Sequence, residues 1–303
     1  MENKHQLTKI QKVALSCVTR WGEDKKTKNF SGKLGRFLCQ LDTDKELGNM
    51  LLELVNKYNY YSKQKIVNIM SDFYQKIVYE LRLEKSHTIY SRIEDDSKID
   101  SSNSFLEEFK YVNDITNYYS HSIEKLSIDD IKKIKNIVFL DDIIGTGETV
   151  KSFFEKNIDK LKEVKCYIFC IELLEESKLL LESFFKKKNI ECVIIYHNLH
   201  KKAFSERYIF HENWDENEKK LQKFERELWG KQSEFILGYR NCQAMISFFR
   251  NTPNNTISSF WFENKNWKGL FPREKEKPQF MISKKSNFRY NIKKLENLKN
   301  DKL

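Results

Sequence analysis

Two adjacent carboxylates, followed closely by two glycines and two threonines, are the residues of this chain best suited to chemistry. They lie in Asn136-Ile137-Val138-Phe139-Leu140-Asp141-Asp142-Ile143-Ile144-Gly145-Thr146-Gly147-Glu148-Thr149-Val150. The carboxylates of Asp141 and Asp142 can accept from ribose hydroxyls or enter a magnesium shell. Gly145, Thr146, Gly147, Glu148 and Thr149 make a small loop rich in amides and hydroxyls. When such a loop leads into a helix, its amides point outward and the helix dipole favours an anion. The spacing is therefore suited to holding a ribose phosphate. A plain strand–turn–helix connection, with a capping Thr and a solvated Asp pair, is the bland alternative. A Walker B strand also ends in two acids, but it needs a Gly-x-x-x-x-Gly-Lys-Ser/Thr loop, and the sequence has none.

These residues need a scaffold, and the apolar pattern supplies one. Residues 137–140 form a continuous apolar run that reads as a buried strand. Val150, Phe153, Phe154 and Ile158 continue at helical spacing after the loop. Further apolar runs at 166–171 and 192–196 flank an amphipathic helix at 175–188. Strands alternating with helices of this length predict βαβ units and a parallel sheet, so the expected class is α/β. Open α/β sheets take their ligands at the carboxyl ends of the strands, where the Asp pair falls.

The first ninety residues read as mainly helical, with Leu47, Met50, Leu51, Leu54 and Val55 on one face and Ile66, Ile69, Met70 and Phe73 on another. Residues 58–62 read as a break, 21–35 as irregular and 88–91 as a short strand. The polar stretch 94–104 reads as a turn, with Ser102, Asn103 or Ser104 capping the helix that follows. His197, His200 and His211, with Glu206 or Glu212, raise the question of a metal. None has the spacing of a helical His-Glu-x-x-His site, and surface or capping roles explain them better. An amphipathic helix is expected at 215–229.

Hydrophobic residues make up 40% and charged residues 32% of the 303, a globular composition. No stretch approaches the roughly 18 apolar residues of a membrane span, and the first residues lack the apolar core of a secretion signal, so no membrane partner and a cytoplasmic location are expected. The six cysteines form no Cys-x-x-Cys pair and read as free thiols. Net charge is +10, and half of that excess lies in residues 284–303, with seven basic and two acidic residues. Such a tail could contact nucleic acid or stand as a solvated end.

The C-terminal part has an unusual composition. Leu237-Gly238-Tyr239-Arg240-Asn241-Cys242-Gln243-Ala244 precedes Asn251-Thr252-Pro253-Asn254-Asn255-Thr256, and Phe260-Trp261 and Leu270-Phe271-Pro272-Arg273 follow. The Asp-Asp loop resembles the phosphoribosyl-pyrophosphate (PRPP) loop of type I phosphoribosyltransferases. Taken with the C-terminal set, the chain resembles the PRTase-CE group, phosphoribosyltransferase-like proteins of bacterial conflict systems that include some retrons. Arg240 and Cys242 depart from the Gly and Ser usual there.

The resemblance implies a parallel-sheet type I phosphoribosyltransferase-like core (87–272), behind a helical N-terminal layer (1–86) and before a C-terminal cap and a basic tail (273–303). It implies a PRPP or nucleotide ligand, with ribose hydroxyls or Mg2+ on Asp141 and Asp142 and the 5′-phosphate on Gly145, Thr146, Gly147, Glu148 and Thr149. A pyrophosphate loop is expected around Ser101, Ser102 and Ser104, and a cover over the base from Asn254, Asn255 and Trp261. Either an effector enzyme or a non-catalytic nucleotide sensor fits, the latter with a protein partner or a retron nucleic acid.

Overall fold

The helical periodicity of the N-terminal region becomes helices wherever a polar cap is available. Thr8 caps α1 (Lys9–Trp21): its hydroxyl accepts from Gln11 N, and the Gln11 side chain accepts from Thr8 N. α2 (Phe30–Cys39) occupies part of the stretch expected to be irregular, because Phe30, Leu34 and Phe37 bury one face. Asp44 caps α3 (Lys45–Lys57). The expected break at 58–62 is in fact β1 (Asn59–Tyr61), and Ser62 caps α4 (Lys63–Gln75), which runs into a π-turn at Lys76–Glu80. This computed structural model describes residues 7–94, 101–230 and 232–273, without the side chains of 101–103.

The chain then builds β2 (Thr88–Ser91), α5 (Ser101–Val112), α6 (Ile128–Ile131), β3 (Asn136–Ile144), α7 (Glu148–Lys156) and α8 (Ile158–Leu161). After these come β4 (Lys165–Leu174), α9 (Glu175–Lys188), β5 (Cys192–His200), α10 (Trp214–Trp229) and β6 (Ile246–Phe248). β2, β3, β4 and β5 lie side by side in that order, all parallel, as the alternating pattern predicts. All three long strands outrun their apolar cores, ending at Ile144, Leu174 and His200. β1 and β6 form a separate parallel pair, Asn59 opposite Ile246 and Tyr61 opposite Phe248.

Each sheet face is covered. Ile137, Phe139, Cys166, Ile168 and Cys170 pack against Val150, Phe153, Phe154, Leu181 and Phe185 of α7 and α9. Val138, Leu140, Phe169 and Ile171 pack against Phe73 of α4, Phe109 of α5 and Tyr61 of β1. A further core joins the N-terminal helices to the C-terminal segment. In it the Phe271 ring stacks on Tyr58 and Tyr60 at 5.2 and 5.4 Å, and Trp267 meets Phe37 edge-on. Residues 1–272 form one compact unit and 273–303 a second, whose residues beyond Arg273 lie outside the described part. No helix among the described residues is long and apolar enough to cross a membrane.

Glu225 of α10 is fully buried and ties the C-terminal segment together. Its carboxylate accepts from Leu237 N and Ser259 N, both at 2.5 Å, while burial pushes its pKa up. Glu225→Gln sets an amide donor against one of these backbone donors, so a loss of about 1–3 kcal/mol is expected in urea unfolding. Because the folded-state value is raised, the folded protein binds this proton more tightly than the unfolded chain does. Stability from this group therefore falls as pH rises through the window above the ordinary glutamate value, and the Gln variant lacks that slope.

Candidate functional site

The carboxyl ends of β3, β4 and β5 share one irregularity, and it shapes the site. In β3, Leu140 packs with the Tyr61 cluster, as strand alternation requires; three residues on, Ile143 does so again, and Ile144 returns to the α7 and α9 side. β4 slips likewise: Ile171 packs beside Tyr61, Glu172 bonds to Tyr61, and Leu173 faces α9. The paired rows skip from Asp141–Cys170–Tyr196 to Ile143–Glu172–Asn198, leaving Asp142, Ile171 and His197 as the unpaired row. Local bonds contribute to the slip, since Asp142 N donates to Asp141 Oδ1 and Ile143 N to Asp142 Oδ1, both at 2.9 Å. By the same count Asp142 belongs to the Tyr61 face, and Asp141 lies in the row of Cys170. Burial first, then the charges of Asp141, Glu172 and Asp142, push the Cys170 thiol well above its ordinary value.

Beyond the acid pair the loop folds as the spacing predicts. Gly147 caps α7 at φ +76°, a left-handed conformation that glycine adopts without strain. Thr146 Oγ1 accepts from Glu148 N at 3.3 Å, and the Ser177 hydroxyl of α9 donates to Gly145 O. Gly145 is buried, Thr146 half-buried, and Glu148 and Thr149 exposed. The first amides of a helix have no intrahelical partner, so this end is suited to receive an anion.

The C-terminal segment lies on this loop. A methyl group on Gly145 would overlap the Asn255 carboxamide, and the Arg240 guanidinium pairs with the Glu148 carboxylate. Arg240 stands at φ +51°, a left-handed conformation that favours glycine, and lies over the Tyr239 ring at 5.3 Å. Gly238, at φ +84°, lets the Asn255 carbonyl approach where any side chain would collide. Asn255 Nδ2 also donates to Cys242 Sγ at 3.3 Å. Of the three residues expected to cover a base, Asn255 thus reaches the Gly145–Thr149 loop. Asn254 is half-buried and accepts from Tyr239 N at 2.7 Å. Trp261 is buried, donates to Thr256 O at 2.8 Å and packs edge-on against Trp229 and Phe235.

The expected turn and cap at 94–104 is replaced in part by helix, since α5 already begins at Ser101. Ser104 is exposed in its first turn, the side chains of Ser101 and Ser102 lie outside the described part, and so do residues 95–100. His211 and His197 are both exposed, and the His197 ring meets Tyr61 edge-on. Among the described residues no three His, Cys, Asp or Glu converge as a metal cage. Two adjacent carboxylates fit a magnesium ion that takes its other ligands from water and ligand phosphates, the usual manner of that ion.

One cluster escapes the sequence reading. Glu172 is fully buried and accepts from Tyr61 OH, Asn59 Nδ2 at 3.3 Å, Asn198 Nδ2 at 3.0 Å and His200 Nδ1 at 2.8 Å. All four partners act as donors, and both carboxylate oxygens are met by hydrogen bonds. Burial and the Glu172 charge push the Tyr61 hydroxyl far above its ordinary value, so it stays a donor. The one sequence signal was an acid inside the apolar run Ile171-Glu172-Leu173-Leu174, a position that demands buried partners.

Comparison with known proteins decides the family. A family model described as PRTase-CE matches residues 34–273. The chain belongs to the PRTase-CE family. The match begins within α2, so it takes in most of the N-terminal helices as well as the sheet. No curated protein matches the chain. Among solved structures, the chain is similar to the Helicobacter pylori xanthine-guanine-hypoxanthine phosphoribosyltransferase at 11% identity and a TM-score of 0.31, covering 55% of this chain and 97% of that one. It is also similar to the AQ2163 protein from Aquifex aeolicus at 15% identity and a TM-score of 0.32, covering 57% and 84%.

Proposed function

We propose that this phosphoribosyltransferase-like chain binds PRPP or a nucleotide and acts at the ribose anomeric carbon. One observation carries the reading: the Asp141–Asp142 pair lies near the carboxyl end of β3, and Gly145, Thr146 and Gly147 join that strand directly to the N-terminus of α7 at Glu148 and Thr149. Asp141 and Asp142 hold the ribose hydroxyls, or a Mg2+ ion shared with ligand phosphates. The loop amides and the Thr146 and Thr149 hydroxyls hold the 5′-phosphate. A bound Mg2+ would supply neutralisation of the leaving group's charge. Displacement at this carbon passes through a cationic, oxocarbenium-like state, so positioning and fixed charge do most of the work.

A second reading, a nucleotide sensor, is favoured by the contacts of Arg240 with Glu148 and of Asn255 with Gly145. A phosphate entering the loop meets these contacts, so occupancy is passed to the C-terminal segment. Membership of PRTase-CE extends the proposal to a role in bacterial conflict, with an antiphage effector or a retron-type complex as the setting. Incubation with PRPP and a nucleotide pool, followed by mass spectrometry, separates the readings. An effector enzyme depletes PRPP or a nucleotide; a sensor binds and depletes none. Absence of both binding and depletion would refute the proposal.

A further inference from the structure

The Glu172 cluster leaves one buried atom without a partner. His200 is 6% exposed, its Nδ1–H donates to the Glu172 carboxylate, and its Nε2 has no hydrogen-bond partner. With the proton on Nδ1, Nε2 carries a lone pair rather than a hydrogen. A buried polar atom left unsatisfied costs about 1–3 kcal/mol, so a lone pair left open in an otherwise paired network calls for a partner. The imidazole is fixed in tautomer and direction by a carboxylate that is itself fixed by Tyr61, Asn59 and Asn198. The cluster lies beside the acid pair: Glu172 pairs with Ile143, the residue after Asp142, on the neighbouring strand, and bonds to Tyr61. His200 ends β5, two residues beyond Asn198, at the same carboxyl edge of the sheet.

We propose that His200 is the proton acceptor for the nucleophile in transfer at the ribose anomeric carbon, with Glu172 as its positioning residue. The proposal rests on the reading of the loop as a PRPP site, and it names the acceptor class: a group bearing N–H or O–H. As that nucleophile bonds to the anomeric carbon, the bond to the pyrophosphate oxygen breaks and pyrophosphate leaves with the electron pair. The proton from N–H or O–H passes to Nε2. The surrounding charges are Glu172, Lys65 over the Tyr61 ring at 4.7 Å, His197 on the same strand and the Tyr208 hydroxyl from the following loop.

The test uses the full chain, PRPP with Mg2+ and a mixture of nucleobases, with pyrophosphate release as the readout. His200→Asn keeps a donor near the position of Nδ1 for Glu172 and removes Nε2, so the network stays paired. This variant should bind PRPP within about threefold of wild type and release pyrophosphate about 100-fold more slowly. In His200→Ala, added imidazole should restore part of the rate, which a purely structural histidine would not allow. An unchanged rate in His200→Asn, or a loss in His200→Ala that imidazole does not relieve, overturns the assignment. If wild type binds PRPP but releases no pyrophosphate with any base, His200 is not a proton acceptor while the ligand reading stands. If wild type fails to bind PRPP, the loop reading falls first and this assignment falls with it.

Discussion

Asp141→Asn combined with Asp142→Asn should weaken PRPP binding by about 10²–10⁴-fold in a calorimetric titration. Hydrogen bonds to ionised acceptors contribute about 1.5–3 kcal/mol each, and 1.4 kcal/mol is a tenfold change in affinity. Losing both charges therefore removes a large share of the grip on the ribose, or on the magnesium beside it. The fold should survive the change. Both acids are half-buried at a strand end, and each accepts a backbone amide through Oδ1, which asparagine retains. A circular dichroism spectrum matching wild type would confirm that the effect is local. Binding within threefold of wild type would remove the acid pair from the site.

The largest stability effect is expected far from the loop. Phe271 is 1% exposed and stacks on Phe30, Tyr58 and Tyr60, with the Trp21 edge against it. These rings come from α1, α2, β1 and the residue between α3 and β1, so one side chain of the C-terminal segment closes a core begun at residue 14. Phe271→Ala removes the ring and leaves a cavity that rigid aromatic neighbours cannot fill. A cost of about 3–5 kcal/mol is expected, read as a lower urea midpoint. A loss under about 1 kcal/mol would mean that the C-terminal segment is not part of the shared core.

Much of this architecture was legible in the chain because burial writes itself into residue type. The runs at 137–140 and 166–171 could be read as parallel strands since both of their faces are buried, and the apolar run at 192–196 marks the less buried edge strand beside them. The helix read at 175–188 is α9, residue for residue. The short strand β1 was hidden, because three residues flanked by helical periodicity carry no period of their own. Its partner β6 lies almost two hundred residues away, a pairing that local pattern does not encode. The acid pair and its loop were legible because their spacing is local. The Glu172 cluster was not, since it joins β1, β4 and β5 and depends on a slip in strand alternation. Nor could spacing tell that Asn255 would reach the loop while Trp261 packed into the core.

The central claim is that residues 141–149 grip a ribose 5-phosphate. Hydrogen exchange on the full chain, with PRPP, ribose 5-phosphate or inorganic pyrophosphate added in Mg2+, tests it most directly. The account predicts slowed exchange across 145–150 with PRPP and with ribose 5-phosphate, but not with pyrophosphate alone. Protection confined to other segments, or none with PRPP at saturating concentration, would contradict it.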